Sequence, residues 1–388
     1  MSSTVVAPPR KTALNSVHRQ MGAKMVDFNG WDMPVEYPPA GDRKTGGLIA
    51  EHMAVRTGVG IFDVSHMGDI RVHGPEALAA IQHISMNDAS KLNIGQAQYS
   101  AMLYPQGTFV DDVIVHKLAE NDYLIVINAG TREKDYNWVR DNAAGFDCKV
   151  EDLSDQYTQI AIQGPRGVDL LQKLTDADLS KVKFYWFTHG TVCGLRNIMI
   201  ARTGYTAEDG FEIYVPSDEE TSARVWNQVL EAGKEFAVLP CGLGARNTLR
   251  LEGKLPLYGH EISDTINVWE AGLDRFCKMD KAEFTGQDSL VRAKADGVTR
   301  TLIGLEMVDR GIARDGYKVL STIGAEIGYV TSGSPAPFLK KNIALAYVPP
   351  SHSTVDSEVA VEIRGQAAKA RVVPTPFYKR PKKVVSGS

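Results

Sequence analysis

The chain has 388 residues, 43% of them hydrophobic and 23% charged, with 35 glycines. That is the composition of an ordinary globular protein, too long for one small core and sized for two or three packed units. A net charge of −4 and a pI near 6.2 give no electrostatic case for nucleic acid or a membrane surface.

The first ten residues, MSSTVVAPPR, read as a polar, proline-containing tail without a signal-peptide core. Residues 12–22 carry a weak helical period, and the following MVDFNGWDMPVEYPPAG reads as irregular and turn-rich. Residues 48–57 have helix composition and stop at Gly58. Residues 59–72 (VGIFDVSHMGDIRV) read as strand, turn, strand, with a lone His66 whose expected role is structural. A short helix opened by Pro75 follows.

Residues 99–129 organise the rest. They read as three short strands joined at Pro105-Gln106-Gly107 and Glu120-Asn121-Asp122. The middle run holds an acidic pair, Asp111-Asp112, among Phe109, Val110, Val113, Ile114 and Val115. Successive strand residues face opposite sides, so the two carboxylates cannot share one environment. Either this is an edge strand with both acids solvated, or a buried carboxylate is supplied with partners.

A helix is expected over 131–142, a strand over 159–163, and a helix from Gly164-Pro165 through Leu174. Residues 191–201 and 211–215 read as strands around a glycine-rich turn, and 222–232 as a helix. No exact internal repeat is visible. Strand–helix alternation in two blocks indicates α+β subdomains rather than a doubly wound sheet.

Within this region RTGYTAEDGFE (202–212) holds Tyr205 and several acids between two glycine turns, and Glu212 enters the next strand between Phe211 and Ile213. Such a glutamate suits two parallel N–H bonds from an aminopyrimidine-like edge. Cys241-Gly-Leu-Gly-Ala-Arg246 opens a helix; the third glycine of a dinucleotide loop is absent. Arg246 in the first turn could reach a carboxylate or a planar heterocycle, or be an ordinary surface arginine. After residue 296 short strands alternate with Gly, Pro and Ser turns, which indicates a small β-barrel or sandwich. The tail YKRPKK (378–383) is basic and read as solvated. The four cysteines, Cys148, Cys193, Cys241 and Cys277, are far apart with no CxxC pair, so neither a structural metal nor a disulfide framework is expected. No run approaches the ~18–20 apolar residues of a membrane span, and a cytoplasmic protein is expected.

At these same residues the chain resembles the T-protein (aminomethyltransferase) family of the glycine cleavage system. The likeness runs through FNGWDMPVEY, FDVSHMG, GTFVDDVIV, INAGTREKD, AIQGP, RTGYTAEDGFEIYVP, GLGARNTLRLEGKLPLYGHEI and IGYVTSGSPAPFLKKNIALAYV. It implies an α+β, multidomain, cloverleaf-like folate-binding fold, with a folate-binding region over 8–290 in two α+β subdomains and a C-terminal β-barrel over 297–380. The implied activity takes an aminomethyl group from the lipoyl arm of H-protein to tetrahydrofolate, giving methylenetetrahydrofolate, ammonia and the reduced lipoyl group, without a metal. Asp112 is then the key acidic residue, and Tyr205, Glu212, Arg246, Asn128, Met67 and Tyr378 are folate contacts. A monomer is expected, with H-protein as partner.

Three departures stand out. GYTAED has Ala207 where relatives carry glycine, Arg275 stands where many have tryptophan, and either Phe377 or Tyr378 matches an expected pocket aromatic. Alternatives within the resemblance are a tetrahydrofolate-dependent demethylase of another donor and a folate-binding iron–sulfur assembly factor. The latter's signature cysteine is replaced by Glu283.

Overall fold

The computed structural model describes residues 8–381, so most of the amino-terminal tail and Lys382 and Lys383 of the basic tail lie outside the described residues. Three lobes surround a central chamber. The first is a five-stranded sheet in the order Ala97–Leu103, Phe109–Ala119, Asp122–Ile127, Gly68–His73, Lys149–Asp152. The second is a six-stranded sheet in the order Phe187–Val192, Leu195–Ala201, Gly210–Pro216, Tyr157–Gln163, Gly60–Asp63, Leu239–Pro240. The third is a closed barrel of six strands between Thr301 and Val373. The α+β expectation and the carboxy-terminal barrel are both met.

The first two lobes repeat each other. Gly74-Pro75 and Gly164-Pro165, ninety positions apart, each end a strand and lead into a helix. Both glycines have φ 133, and a Cβ would sit 2.9 Å from Asp147 O at the first and 2.4 Å from Gly58 O at the second. Each helix is followed by a 3₁₀ turn whose aspartate caps a serine N–H, Asp88 to Ser90 at 3.0 Å and Asp178 to Ser180 at 3.1 Å. The corresponding strand starts then meet: Ala97 N donates to Tyr185 O and Phe187 N to Gly95 O, both at 2.8 Å. Gln82 and Gln172 match as well, each accepting at its side-chain oxygen from a backbone N–H, of Ala89 and of Leu179, at 3.0 Å, whereas the core side chains of the two lobes differ.

Two expectations need correcting. The stretch expected to be irregular after Met25 is a β-hairpin, Lys24–Phe28 with Trp31–Glu36. Its Asn29-Gly30 turn has φ 51 and 79, the paired positive values a two-residue hairpin requires. The single strand expected over 191–201 is likewise a hairpin, Phe187–Val192 with Leu195–Ala201, turning at Cys193 (φ 51) and Gly194.

Gly60–Asp63 and Gly68–His73, expected as a simple strand–turn–strand, belong to different sheets. The turn between them therefore carries Met67 to the seam of the two lobes. Around that seam each lobe has its own core. Ile70, Ile81, Tyr123 and Val139 fill the first, and Ile160, Phe211, Val225 and Trp226 the second. The barrel strands alternate: Ala344, Ala346 and Val348 point into the barrel, while Ile343, Leu345 and Tyr347 pack with Leu251, Ile262 and Phe109. Full burial of one such large side chain contributes about 1.5–3 kcal/mol, which ties the barrel to the chamber's floor.

Candidate functional site

Phe109–Ala119 is hydrogen-bonded on both sides, by Ala97–Leu103 and by Asp122–Ile127, so the solvated edge-strand alternative does not hold. Its two carboxylates face differently. Asp111 is wholly buried and accepts from Asn128 Nδ2 at 2.8 Å, from Thr131 Oγ1 at 2.5 Å and from the Asp112 N–H at 2.9 Å. Asp112 faces the chamber, accepting from the Tyr99 hydroxyl at 3.0 Å and from Asn128 Nδ2 at 2.9 Å. One amide thus holds both acids. Burial, and then the Asp111 charge, push the Asp112 carboxyl up to about 7.

The opposite wall comes from the second lobe. Glu212 sits in a strand between Ala201 and Ala161 on its neighbours, whose small side chains leave room for it. The Thr203 hydroxyl donates to its carboxylate. Burial raises the Glu212 carboxyl, while Thr203 and the Arg246 charge act against it. Arg246 comes from the helix Leu243–Glu252 and lies 4.6 Å from the Tyr205 ring centroid, with Met67 Sδ 4.0 Å from its guanidinium. Tyr205 is anchored by its hydroxyl, which donates to Pro256 O. The lone His66 is buried edge-on against Phe28, and burial with the Arg246 charge pushes its imidazole down to about 3. It is a neutral packing residue.

Six expected residues therefore line one inner chamber of about 120 Å³: Asp112, Asn128, Met67, Tyr205, Glu212 and Arg246. The chamber shares Tyr99, Tyr185, Gly204, Leu255 and Pro256 with an outer vestibule of about 820 Å³, on whose rim stand Lys254, Arg275, Lys379 and Arg380. Tyr378 lies apart from both. Its ring packs 4.0 Å from the Arg56 guanidinium, its N–H bonds Glu252 O, and Arg56 itself pairs with Glu252 and Glu208. Phe377 packs between the barrel and the central core, so neither aromatic reaches the inner chamber. The expected pocket contact is corrected to a clasp that fixes the carboxy-terminal segment.

Four further polar or aromatic side chains line the chamber without a signal singled out in the sequence: Tyr99, Tyr185, Gln159 and Thr203. Tyr99 was within reach, because the tight turn at 105–107 pairs Ala101 with Asp112 and Tyr99 with Ile114 on the same face. Tyr185 carries no such signal; it adopts φ 62 where the two lobes join. Among the described residues no cluster of His, Cys, Asp and Glu is arranged to hold a metal ion.

Ala207 has φ 62, so its position does call for left-handed backbone. That conformation costs an L-residue about 1–2 kcal/mol, of which glycine's greater freedom when unfolded cancels part. Ala207→Gly is therefore expected to raise stability by about 0.5–1 kcal/mol, read from the urea midpoint at unchanged slope. An unchanged or lowered midpoint would show that the loop bears no strain there.

The chain matches two family models: the GCVT N-terminal domain over residues 14–281 and the glycine cleavage T-protein C-terminal barrel domain over residues 300–379. An aminomethyltransferase of Koribacter versatilis is 74% identical over 383 residues, covering 99% of this chain and 100% of its own. One from Acidobacterium capsulatum is 69% identical over 384 residues, again with 99% and 100% covered. The crystal structure of glycine cleavage system aminomethyltransferase T from Bartonella henselae superposes with a TM-score of 0.87 at 32% identity, over 95% of this chain and 98% of that one.

Proposed function

The chain belongs to the glycine cleavage T-protein family and is an aminomethyltransferase, and from that membership we propose that its inner chamber binds tetrahydrofolate against Glu212 and directs one-carbon transfer at Asp112. The observation that carries this reading is convergence. Asp112 and Asn128 from one lobe, Glu212 from the other and Arg246 from the helix beside them line a single chamber.

The residues present fit a reduced pterin. Flat aromatic side chains, Tyr99, Tyr185 and Tyr205, wall the chamber, and Glu212 offers a buried carboxylate to a donor-bearing ring edge. The cationic rim of Lys254, Arg275, Lys379 and Arg380 suits the carboxylates of a glutamyl tail. This gives Arg275 a use in place of the tryptophan of relatives. When bound, tetrahydrofolate supplies the nitrogens that accept the one-carbon unit.

The protein's own contribution is electrostatic. Tyr99 and Asn128 each donate to Asp112 and hold its carboxylate toward the chamber. A fixed negative charge there stabilises the positive charge that develops on the aminomethyl carbon and nitrogen as ammonia departs. The donor in this reading is the aminomethyl-lipoyl arm of H-protein, and the enzyme works as a cytoplasmic monomer without a metal. The test is single-turnover formation of methylenetetrahydrofolate and ammonia from aminomethyl-lipoyl H-protein. Folate binding without product would move the assignment to another donor.

Glu212→Gln separates binding from chemistry. A hydrogen bond to a charged group contributes about 1.5–3 kcal/mol, so tetrahydrofolate affinity should fall roughly 10–100-fold while single-turnover rate at saturating folate changes little. Equilibrium titration of the variant checks this; unchanged affinity would remove Glu212 from the pterin site.

A further inference from the structure

Behind the chamber lies a buried acid that the proposed reaction does not use. Asp135, in the helix Arg132–Ala143, is fully buried, and among the described residues neither of its carboxylate oxygens has a hydrogen-bond partner. It sits one helical turn after Thr131, whose hydroxyl donates to Asp111 Oδ2, so the two carboxyls share one pocket, and the Asp111 charge acts on Asp135. The Lys134 ammonium is 3.4 Å from one Asp135 oxygen, but its hydrogen bond goes to Val110 O, and it sits 4.2 Å from the Tyr258 ring centroid. Asp111, by contrast, accepts three hydrogen bonds, from Asn128, Thr131 and the Asp112 N–H. Two carboxylates in contact in a dry site cannot both be ionised. The better-solvated one in hydrogen-bond terms is Asp111, which leaves the proton on Asp135.

We propose that Asp135 holds one buried proton and donates it to Asp111, and that this acid pair, linked to Asp112 through the shared Asn128 amide, sets the pH range over which Asp112 works. Asp135 is thus a positioning residue: it fixes Asp111 as an anion behind Asp112 without touching substrate. The directions of titration agree. Burial, then the Asp111 charge, raise the proton affinity of Asp135 and of Asp112 alike. The other groups facing these acids are Tyr99, Tyr185 and Tyr205 around Asp112, and Lys134, Tyr104 and Tyr258 around the pair. The burial-raised phenols stay neutral near pH 7, so the lysine supplies the main countercharge.

The inference rests on the assignment of Asp112, and its test keeps the two apart. The first arm is the pH profile of single turnover. Activity that needs ionised Asp112 falls on the acid side, so the position of that limb reports its titration. Asp111→Asn removes the neighbouring charge and is expected to move the acid limb down by roughly one pH unit. Asp135→Leu, which cannot donate, removes the hydrogen bond that holds the Asp111 charge in place behind Asp112 and should move the limb the same way. Asp135→Asn places an amide N–H where the proton sat and should return the limb to its wild-type position. Equal shifts in Asp135→Asn and Asp135→Leu, or no shift in Asp111→Asn, would overturn the proposal. The second arm needs no turnover: the infrared difference between wild type and Asp135→Asn at neutral pH should contain the carbonyl stretch of one protonated carboxyl. Its absence rejects the shared proton even if Asp112 proves catalytic. Its presence with an inactive-site result for Asp112 would leave the acid pair standing and the catalytic assignment refuted.

Discussion

Asp112→Asn is expected to lower single-turnover aminomethyl transfer by about 10²–10⁴ while leaving tetrahydrofolate affinity within a few-fold of wild type. The change preserves size and shape and removes the charge. It also disturbs the hydrogen-bond pattern in a defined way, because Asp112 Oδ1 accepts from Asn128 and Oδ2 from Tyr99. An asparagine can satisfy the amide with its carbonyl and donate to the tyrosine hydroxyl, which rotates to accept. The chamber therefore stays assembled, and what is lost is the negative charge beside the developing cation. Binding is spared because Glu212, on the opposite lobe, is untouched. Rapid-quench measurement of methylenetetrahydrofolate and ammonia, beside a folate titration, reads the two effects separately. Near-normal turnover would assign Asp112 to packing, and a large loss of affinity would make it a binding residue.

The geometry explains why such a charge can be kept in a buried strand at all. Alternation along Phe109–Ala119 sends one aspartate to the chamber and the other to the Asn128–Thr131 turn, where donors already wait. Each carboxylate is partnered by groups from a neighbouring segment, which lowers the several-kcal/mol cost of its burial.

How far this was readable from the chain differs by residue. The acidic pair, the GYTAED loop and the helix-opening Arg246 announce themselves, because acids inside apolar runs and glycines around aromatics violate the local pattern. The convergence of Asp112 and Glu212 does not, since they lie a hundred positions apart and meet only where two sheets join. That joint is set by backbone contacts between 95–97 and 185–187, which use no distinctive side chains. The Asn29-Gly30 hairpin was legible from its turn dipeptide, but the flanking MVDF and WDMPVE lack clean alternation. Tyr378 misled for the opposite reason. An aromatic near the end of a barrel fits a pocket or a clasp equally well in one dimension, and only the buried Arg56 beneath it decides for the clasp.

The largest stability effect is expected one turn beyond Arg246. Arg250 is on the same helix and has a side chain 1% exposed. Its guanidinium donates to Glu261 Oε2 at 2.6 Å, Ser332 Oγ at 2.7 Å and Asn247 Oδ1 at 2.9 Å. Glu261 in turn accepts from Thr331 Oγ1 at 2.7 Å and the Leu257 N–H at 3.1 Å. One ion pair thus joins the helix that carries Arg246, the 253–262 loop that anchors Tyr205 and the first long barrel hairpin. Burial pushes the Glu261 carboxyl up, and Arg250 with Ser332 and Thr331 overcomes it, holding the group below its ordinary value. Arg250→Met keeps the stem and leaves that carboxylate buried without its cation. Such a loss costs roughly 3–5 kcal/mol, against a contribution from the intact pair that is far smaller. Equilibrium urea unfolding, followed by both tyrosine environment and far-ultraviolet signal, should show the drop. The double variant Arg250→Met/Glu261→Leu should recover most of it, because the penalty lies in the orphaned charge rather than in the missing bond. Recovery of stability without recovery of folate affinity would then separate the two duties of this helix, since the apolar replacement restores packing but not the hydrogen bonds that fix the register of Arg246 over Tyr205. If the double variant is no more stable than Arg250→Met, the guanidinium's bonds to Ser332 and Asn247 carry the lobe contact, and the ion pair with Glu261 is secondary.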